Sequence, residues 1–315
     1  MSLIEQAAKR LEQLRQAGVE LPGDTAVTTS DKQSAVEITA TTRAVSPVVP
    51  AERPNDAKYS SLTPNSPIVN LDLEAISASG LLVPNAARTQ LADEFRVIKR
   101  PLIANAMGRG VAPINNGNLI MVTSALPGEG KSFSAINLAI SIAMELDNTV
   151  MLVDADVARP SVLNMLGLPP SKGLLDVLQD NSLDISGVLL RTNIEKLSIL
   201  PSGTAHSRAT ELLASDAMIR LLDDMASRYS DRIIVFDSPP LLLTTEARVL
   251  ATHMGQVVIV VNAENTVQSA VKQAISTIES CPVKMMLLNQ LRSANTNAYG
   301  YGYGYGYGYG YGHEK

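Results

Sequence analysis

The stretch 119-LIMVTSALPGEGKS-132 joins an apolar run to a glycine-rich turn that ends in Lys-Ser. Residues Ala125 to Ser132 fit the phosphate-loop pattern, with Ala125 where glycine is often found. Glycines let backbone N–H groups surround phosphates, and a following helix N-terminus adds a favourable dipole. The pattern predicts that Lys131 contacts the β- and γ-phosphates of ATP and that the Ser132 hydroxyl ligates Mg²⁺. The predicted nucleotide-binding residues of this loop are Pro127, Gly128, Glu129, Gly130, Lys131, Ser132 and Phe133.

Two further apolar runs end in carboxylates. One leads to Asp154 and Asp156, whose i, i+2 spacing along a strand directs both side chains to the same side. The other ends at Asp237, the arrangement of a Walker B strand that orders Mg²⁺. Two acids at one strand end repel each other unless a cation or a proton intervenes. An alternative for either Asp154 or Asp156 is that it caps the next helix.

Short apolar runs alternate with longer stretches of helical periodicity after Asn118. Strands that are apolar on both faces and alternate with helices predict an α/β fold, a mainly parallel sheet with helices on both faces, in a P-loop NTPase architecture. Asn289, at the end of the last run, is a candidate adenine contact or an ordinary turn residue. The predicted strands are Leu119–Thr123, Val150–Val153, Leu197–Leu200, Ile233–Phe236, Val257–Val261 and Val283–Leu288, and the main predicted helices are Ser132–Glu145, Thr210–Tyr229 and Thr266–Ser280.

Composition divides the chain into four parts. Residues 1–18 are predicted to form a short amphipathic helix with a capping-box start. Residues 19–70 are rich in Pro, Ser and Thr and are a linker. Residues 71–295 form the α/β domain and open with a helix near 91–106, which Pro101 is expected to bend or break. Residues 296–315 are a Tyr/Gly tail that we expect to be disordered.

Charge and cysteine content exclude several functions. The net charge is −5 and no basic cluster is present, so nucleic acid is not an expected partner. Cys281 is the only cysteine, which excludes an internal disulfide framework or a four-cysteine metal site and suits a reducing compartment. The three histidines are far apart in sequence, so they are not expected to form a metal site. No apolar run is long enough to span a bilayer. We expect a cytoplasmic protein, with no signal peptide, that a partner recruits to the inner membrane.

The tail offers regularly spaced phenols tethered to the predicted nucleotide-binding domain. A tethered acceptor makes phosphoryl transfer efficient, because positioning supplies most of its catalysis. An alternative is that the tract drives self-association without chemistry. The predicted phosphoacceptors are Tyr299, Tyr301, Tyr303, Tyr305, Tyr307, Tyr309 and Tyr311.

Taken together, the phosphate loop, the Asp-x-Asp strand, Asp237-Ser-Pro-Pro240 and the tyrosine-rich end resemble the bacterial tyrosine kinases of the P-loop class. The stretches Glu94-Phe-Arg-Val-Ile-Lys-Arg-Pro101 and Thr244-Thr-Glu-Ala-Arg248 resemble more closely the exosortase-associated autokinases of exopolysaccharide loci. The resemblance covers about residues 70 to 312. It implies that the protein is a tyrosine autokinase which regulates exopolysaccharide assembly.

The resemblance also implies roles for particular residues. Asp154 or Asp156 accepts the tyrosine proton while Lys131 and Mg²⁺ hold the γ-phosphate, and Ser132, Asp154 and Asp237 set the metal. Family members form rings through an ExxRxxR helix, which here corresponds to Asp93, Arg96 and Lys99. Because Lys replaces a bidentate Arg, pairing within one helix is the alternative for these residues. The partners implied are a homo-oligomer, a membrane-embedded chain-length regulator as activator and a tyrosine phosphatase as antagonist.

Two other functions compete with the kinase. A Min/Par-type switch ATPase would carry an extra lysine early in the loop, where this chain has Leu126-Pro127. A nucleotide-binding scaffold without catalysis is the third hypothesis. Incubation of the chain, with and without its tail, with labelled ATP separates the three hypotheses, because it shows whether phosphotyrosine, free phosphate or neither is formed.

Overall fold

The computed structural model describes residues 66–84, 89–180, 182–228 and 232–291, and these residues form one sheet with helices around it. The six predicted strands are all present, each within one residue of its predicted ends. Two short strands had no sequence signal, because two or three residues are too few to show a period. The eight strands are β1 (Ile68–Val69), β2 (Leu119–Ser124), β3 (Thr149–Asp154), β4 (Leu190–Thr192), β5 (Leu197–Leu200), β6 (Arg232–Asp237), β7 (Gln256–Asn262) and β8 (Val283–Asn289).

The strand order is β1-β4-β5-β3-β6-β2-β7-β8, and β4 with β5 is the one antiparallel pair among the described residues. Strand β2 lies between β6 and β7. Strand β3 lies on the other side of β6, in a register that places Asp154 opposite Asp237. The carboxyl ends of β2, β3 and β6 therefore meet at one edge of the sheet, where ligands bind in open parallel folds. This confirms the predicted fold class.

The central strands are apolar throughout because both faces of the sheet are covered. Alternate residues of β3 belong to two separate cores, with Met151 and Val153 on one face and Val150 and Leu152 on the other. Strand β6 divides in the same way, so that Phe236 and Val235 enter opposite cores. The two-sided burial explains why these runs lack the alternating pattern of a half-exposed sheet.

Helices flank the sheet at positions close to those predicted, with one exception. The predicted helix Thr210–Tyr229 is two helices, because Ser215 begins a second one and its hydroxyl accepts a hydrogen bond from the backbone N–H of Met218. The helices are α1 (Leu73–Ala78), α2 (Gln90–Ala106), α3 (Lys131–Ala143), α4 (Val162–Met165), α5 (Leu174–Gln179), α6 (Ile185–Val188), α7 (Ala209–Leu213), α8 (Asp216–Arg228), α9 (Thr245–Thr252) and α10 (Gln268–Ser276).

Helix α2 continues through Pro101, so the expectation that the proline breaks it is wrong. Phe95 and Leu102 anchor the helix on either side of the proline, since both are buried in the core. The carbonyl of Leu102 also accepts a hydrogen bond from the Gln256 side chain. Tertiary packing of this kind outweighs the cost of one missing helical hydrogen bond.

Several predictions concern residues outside the described ranges. These are the amphipathic helix 1–18, most of the linker 19–70, and the tail 296–315 with its seven tyrosines. Strand β1 begins at Ile68, three residues before the predicted domain boundary at Leu71. None of the helices in the described part is long and apolar enough to cross a membrane.

Candidate active site

The phosphate loop passes from β2 into α3 with the geometry that its glycines allow. Gly128 has a φ of 81° and Gly130, immediately before α3, has a φ of 92°, in the left-handed region that glycine tolerates. Lys131 and Ser132 form the first turn of α3. The Ser132 hydroxyl accepts a hydrogen bond from Ser161, with 2.8 Å between the two Oγ atoms.

Lys131 is the centre of the charge arrangement. Its Nζ lies 2.7 Å from Asp156 Oδ2 and 3.4 Å from Asp237 Oδ1. Burial lowers the pKa of this ammonium, but the negative charges of Asp237 and Asp156 outweigh burial and raise the pKa above its ordinary value. Lys131 is therefore charged at neutral pH and holds two of the three predicted carboxylates together.

Asp154 is buried close to Asp156 and Asp237. Its Oδ2 accepts hydrogen bonds from the backbone N–H groups of Ser161 and Val162, each at 3.1 Å. Burial and the negative charge of Asp237 raise the pKa of Asp154 to about 7, although the two backbone donors oppose the shift. Burial likewise raises the pKa of Asp237, against the attraction of Lys131. The side chain of Asp154 thus titrates near neutrality in the metal-free protein.

We expect Asp154→Asn to stabilise the metal-free protein at pH 7.5 and to weaken its dependence on pH. The unfolded carboxyl ionises near 3.8 and the folded one near 7, so the folded state binds more protons in that window and wild-type stability falls as pH rises through it. The amide oxygen can accept the same two backbone hydrogen bonds. The expected gain is on the order of 1–3 kcal/mol at pH 7.5 and little at pH 4. Urea unfolding at both pH values measures the free energy of unfolding, with exposed Asp147→Asn as the control. If this free energy changes equally between pH 4 and pH 7.5 in wild type and in Asp154→Asn, the raised pKa of Asp154 is contradicted.

The carboxylates suit a hard cation held together with phosphate oxygens. Asp154 Oδ1 and Asp237 Oδ2 are buried and have no hydrogen-bond partner within the described part of the chain. No group of three or more His, Cys, Asp or Glu side chains among the described residues is arranged to hold a metal alone. Mg²⁺ usually takes one or two carboxylates and completes its shell with water and substrate phosphates. The residues present therefore fit a Mg²⁺ ion that binds with a nucleotide.

Two residues predicted to bind the nucleotide, Glu129 and Asn289, hold the phosphate loop in place in this structure. The Glu129 carboxylate is buried and accepts hydrogen bonds from the backbone N–H of Leu126 at 2.6 Å, the N–H of Asn262 at 3.3 Å, and the Thr266 hydroxyl. Asn289 Nδ2 donates to the backbone oxygen of Glu129 at 2.9 Å. The end of β8 is thereby tied to the loop. The side chain of Glu129 faces away from the cleft, which leaves its backbone as the part able to meet phosphate.

A cleft of about 610 Å³ opens above the loop and the acids. Of the predicted residues, Pro127, Gly128, Gly130, Lys131, Ser132, Phe133 and Asp156 line it. Most of the opposite wall, which follows β3 and β6, was not predicted, although Pro239, Pro240 and Thr244 lie in stretches that carry the family resemblance. The additional lining residues are Ala158, Arg159, Ser161, Met165, Pro239, Pro240, Leu243 and Thr244.

The predicted oligomerisation residues on α2 do not form one surface. Arg96 pairs with Asp93 within the helix at 2.6 Å, which is the intrahelical alternative. Lys99 is buried, and its ammonium contacts the Ser141 carbonyl near the end of α3 and, at 2.7 Å, Glu145. The assignment of Lys99 to a subunit interface is therefore wrong for this structure. Its apolar stem is buried, and its ammonium interacts with the carbonyl end of the neighbouring helix α3.

Comparison with known proteins agrees with this geometry. A family model described as an AAA domain matches residues 117–291. The tyrosine-protein kinase YwqD of Bacillus subtilis (strain 168) is 32% identical over 167 residues, which are 53% of this chain and 69% of YwqD. The succinoglycan biosynthesis transport protein ExoP of Rhizobium meliloti (strain 1021) is 31% identical over 197 residues, 62% of this chain but 24% of ExoP.

The kinase domain of the Escherichia coli tyrosine kinase ETK has a similar structure, with a TM-score of 0.58 and 25% identity over 71% of this chain and 84% of that domain. Several relatives are thus much longer than the part that this chain matches. The match centres on the sheet and the phosphate loop. On the family model, the relatives and the fold together, the chain belongs to the bacterial P-loop tyrosine kinases, within the AAA domain family.

Proposed function

We propose that this chain is an ATP-dependent autokinase that phosphorylates the tyrosines of its own C-terminal tail, in trans within a homo-oligomer, and so regulates exopolysaccharide assembly. The observation that carries the proposal is the Lys131 ammonium, held by Asp156 and Asp237 at the floor of a cleft behind a phosphate loop. The relative ExoP is named for succinoglycan biosynthesis, which supports the link to polysaccharide.

Each residue of the site has a separate proposed role in phosphoryl transfer. The backbone of the loop and Lys131 hold the triphosphate, and Ser132, Asp154 and Asp237 would hold Mg²⁺. When bound, Mg²⁺ neutralises phosphate charge. We assign the general base to Asp156, because it lines the cleft whereas Asp154 does not. Tyrosine has a pKa near 10, so a carboxylate must take its proton as the phenolic oxygen attacks.

The reaction balances with these groups alone. The tyrosine oxygen forms a bond to the γ-phosphorus, and the bond from that phosphorus to the β-phosphate oxygen breaks to leave ADP. The phenolic proton passes to Asp156, which later returns it to solvent. Each phosphate adds about −1.5 to −2 charges to the tail, so the phosphorylated tail is repelled by Asp156, which lines the cleft, and leaves the site.

Partners follow from the family resemblance. We propose a membrane-embedded chain-length regulator as activator, which would recruit the kinase from the cytoplasm to the inner membrane, and a tyrosine phosphatase as antagonist. Oligomerisation is proposed through a surface other than Lys99, since that side chain is occupied within the fold.

Incubation with labelled ATP and Mg²⁺, with and without residues 299 to 315, tests the proposal. We expect phosphotyrosine on the intact chain, with at least about tenfold less label on the truncated one because the tethered acceptors are gone. Circular dichroism of both forms controls for folding. Release of phosphate without phosphotyrosine would indicate a Min/Par-type switch ATPase, and nucleotide binding without turnover would indicate a scaffold.

A further inference from the structure

One wall of the cleft is apolar and is not explained by nucleotide binding. Met165 ends α4, and Pro240 and Leu243 lie in the turn after β6; all three line the cleft. Leu243 is 61% exposed, and with Met165 and Pro240 it gives this wall a contiguous apolar surface that is available to a ligand. We propose that Met165, Pro240 and Leu243 form the subsite that receives the ring of the acceptor tyrosine, an inference that rests on the proposed kinase function.

The sheet order places this wall on the side of the phosphate loop opposite to Asn289. Strands β6 and β3 follow β2 in one direction along the sheet, and β7 and β8 follow it in the other. Met165 and Leu243 come after β3 and β6, whereas Asn289, the candidate adenine contact, ends β8. Adjacent strands are about 4.8 Å apart, so the ends of β3 and β8 are separated by roughly 19 Å. A nucleobase near Asn289 therefore leaves the apolar wall open.

The wall is held rigidly beside the acids. The backbone N–H groups of Ser161 and Val162 at the start of α4 donate to Asp154, which fixes the short helix that carries Met165. The backbone N–H of Leu243 donates to the Pro240 carbonyl at 3.3 Å, so the turn is closed on itself. The helix that carries Met165 is therefore tied to Asp154, and the turn that carries Leu243 is closed by its own hydrogen bond.

The chemistry of the wall matches a phenol. A tyrosine ring is apolar on its faces and polar at its tip. With the ring against Met165, Pro240 and Leu243, the hydroxyl can reach Asp156, which lines the same cleft. Arg159 adds a positive charge at this wall and can meet the phosphate after transfer. A serine or threonine would leave the wall uncovered, which gives the site a preference for aromatic acceptors.

The test uses the full-length chain with its seven tail tyrosines replaced by alanine, and a synthetic peptide of residues 296–315 as the acceptor. Alanine is used in place of each tyrosine rather than phenylalanine, because a phenylalanine ring in the tail would itself bind to the apolar wall and compete with the peptide. We expect Leu243→Ala and Met165→Ala each to raise the KM for the peptide about tenfold, since each loses apolar contact with the ring. The KM for ATP should stay within about twofold of the parent value. Leu243→Met should restore most of the peptide affinity.

Leu146→Ala is the matched control, because Leu146 is 87% exposed and does not line the cleft. An unchanged peptide KM in Leu243→Ala, with an active parent enzyme, would overturn the subsite and leave the kinase function standing. A raised KM for ATP with an unchanged peptide KM would assign the wall to the nucleotide instead. If the unmodified chain does not phosphorylate its own tail and the alanine-tailed parent does not phosphorylate the peptide, the proposed function is overturned and the subsite with it.

Discussion

Replacing Lys131 with alanine is expected to lower the rate of phosphotyrosine formation by about three orders of magnitude. Lys131 is the only cation within 4 Å of Asp156 and Asp237 among the described residues. Without it, the buried carboxylates repel one another and the incoming triphosphate loses its positive partner. Initial rates with labelled ATP and Mg²⁺ measure the effect, with Lys272→Ala, an exposed lysine on α10, as the control.

The fold should survive this substitution, because the carboxylates can take up protons when the ammonium is lost. Burial and mutual repulsion already raise the pKa of Asp154 and of Asp237. Circular dichroism and thermal unfolding should therefore show a folded protein. A Lys131→Ala protein that keeps more than about a tenth of the wild-type rate would contradict the role of this lysine in holding the γ-phosphate.

The sequence predicts the parts of this structure that depend on short-range rules. Apolar runs on buried strands, glycines in the loop and acids at strand ends each have a local physical cause, and Lys131, Asp156 and Asp237 accordingly meet. The order of the strands was not predicted, because parallel pairing with right-handed crossovers is compatible with several orders. The candidate site was predictable to this extent because the phosphate loop fixes where its neighbours must lie.

Long-range contacts account for what the sequence did not predict. Lys99 lies on α2 among residues that suggest a charged surface, but its stem is buried and its ammonium caps α3, 42 residues away along the chain. Glu129 lies in the loop like a phosphate ligand, yet its carboxylate accepts hydrogen bonds from the backbone N–H of Asn262, the last residue of β7, and from the hydroxyl of Thr266. No local pattern shows which way such side chains turn, because the partner residues are distant in sequence.

The contact between Gly130 and Asn289 allows a second strong prediction. A Cβ atom at Gly130 would lie 2.1 Å from Asn289 Nδ2, and the residue has a φ of 92° that other residues rarely adopt. Gly130→Ala must therefore both strain the backbone and displace the amide that holds the Glu129 carbonyl. We expect the affinity for an ATP analogue to fall about 10²-fold, since a combined cost of about 2–3 kcal/mol falls on the loop that binds the phosphates.

The matched control is Gly187→Ala, because an added Cβ there meets nothing within 4 Å and its φ is not in the left-handed region. The double variant Gly130→Ala, Asn289→Ala separates the two costs. Removing the Asn289 amide relieves the close contact but leaves the backbone strain, so the double variant should recover only part of the lost affinity. Isothermal titration calorimetry with a non-hydrolysable ATP analogue and Mg²⁺ measures the affinity of the three variants and of the wild type. Wild-type affinity in Gly130→Ala would mean that the loop binds phosphate in a different shape, and that the tie between β8 and the phosphate loop is unnecessary for nucleotide binding.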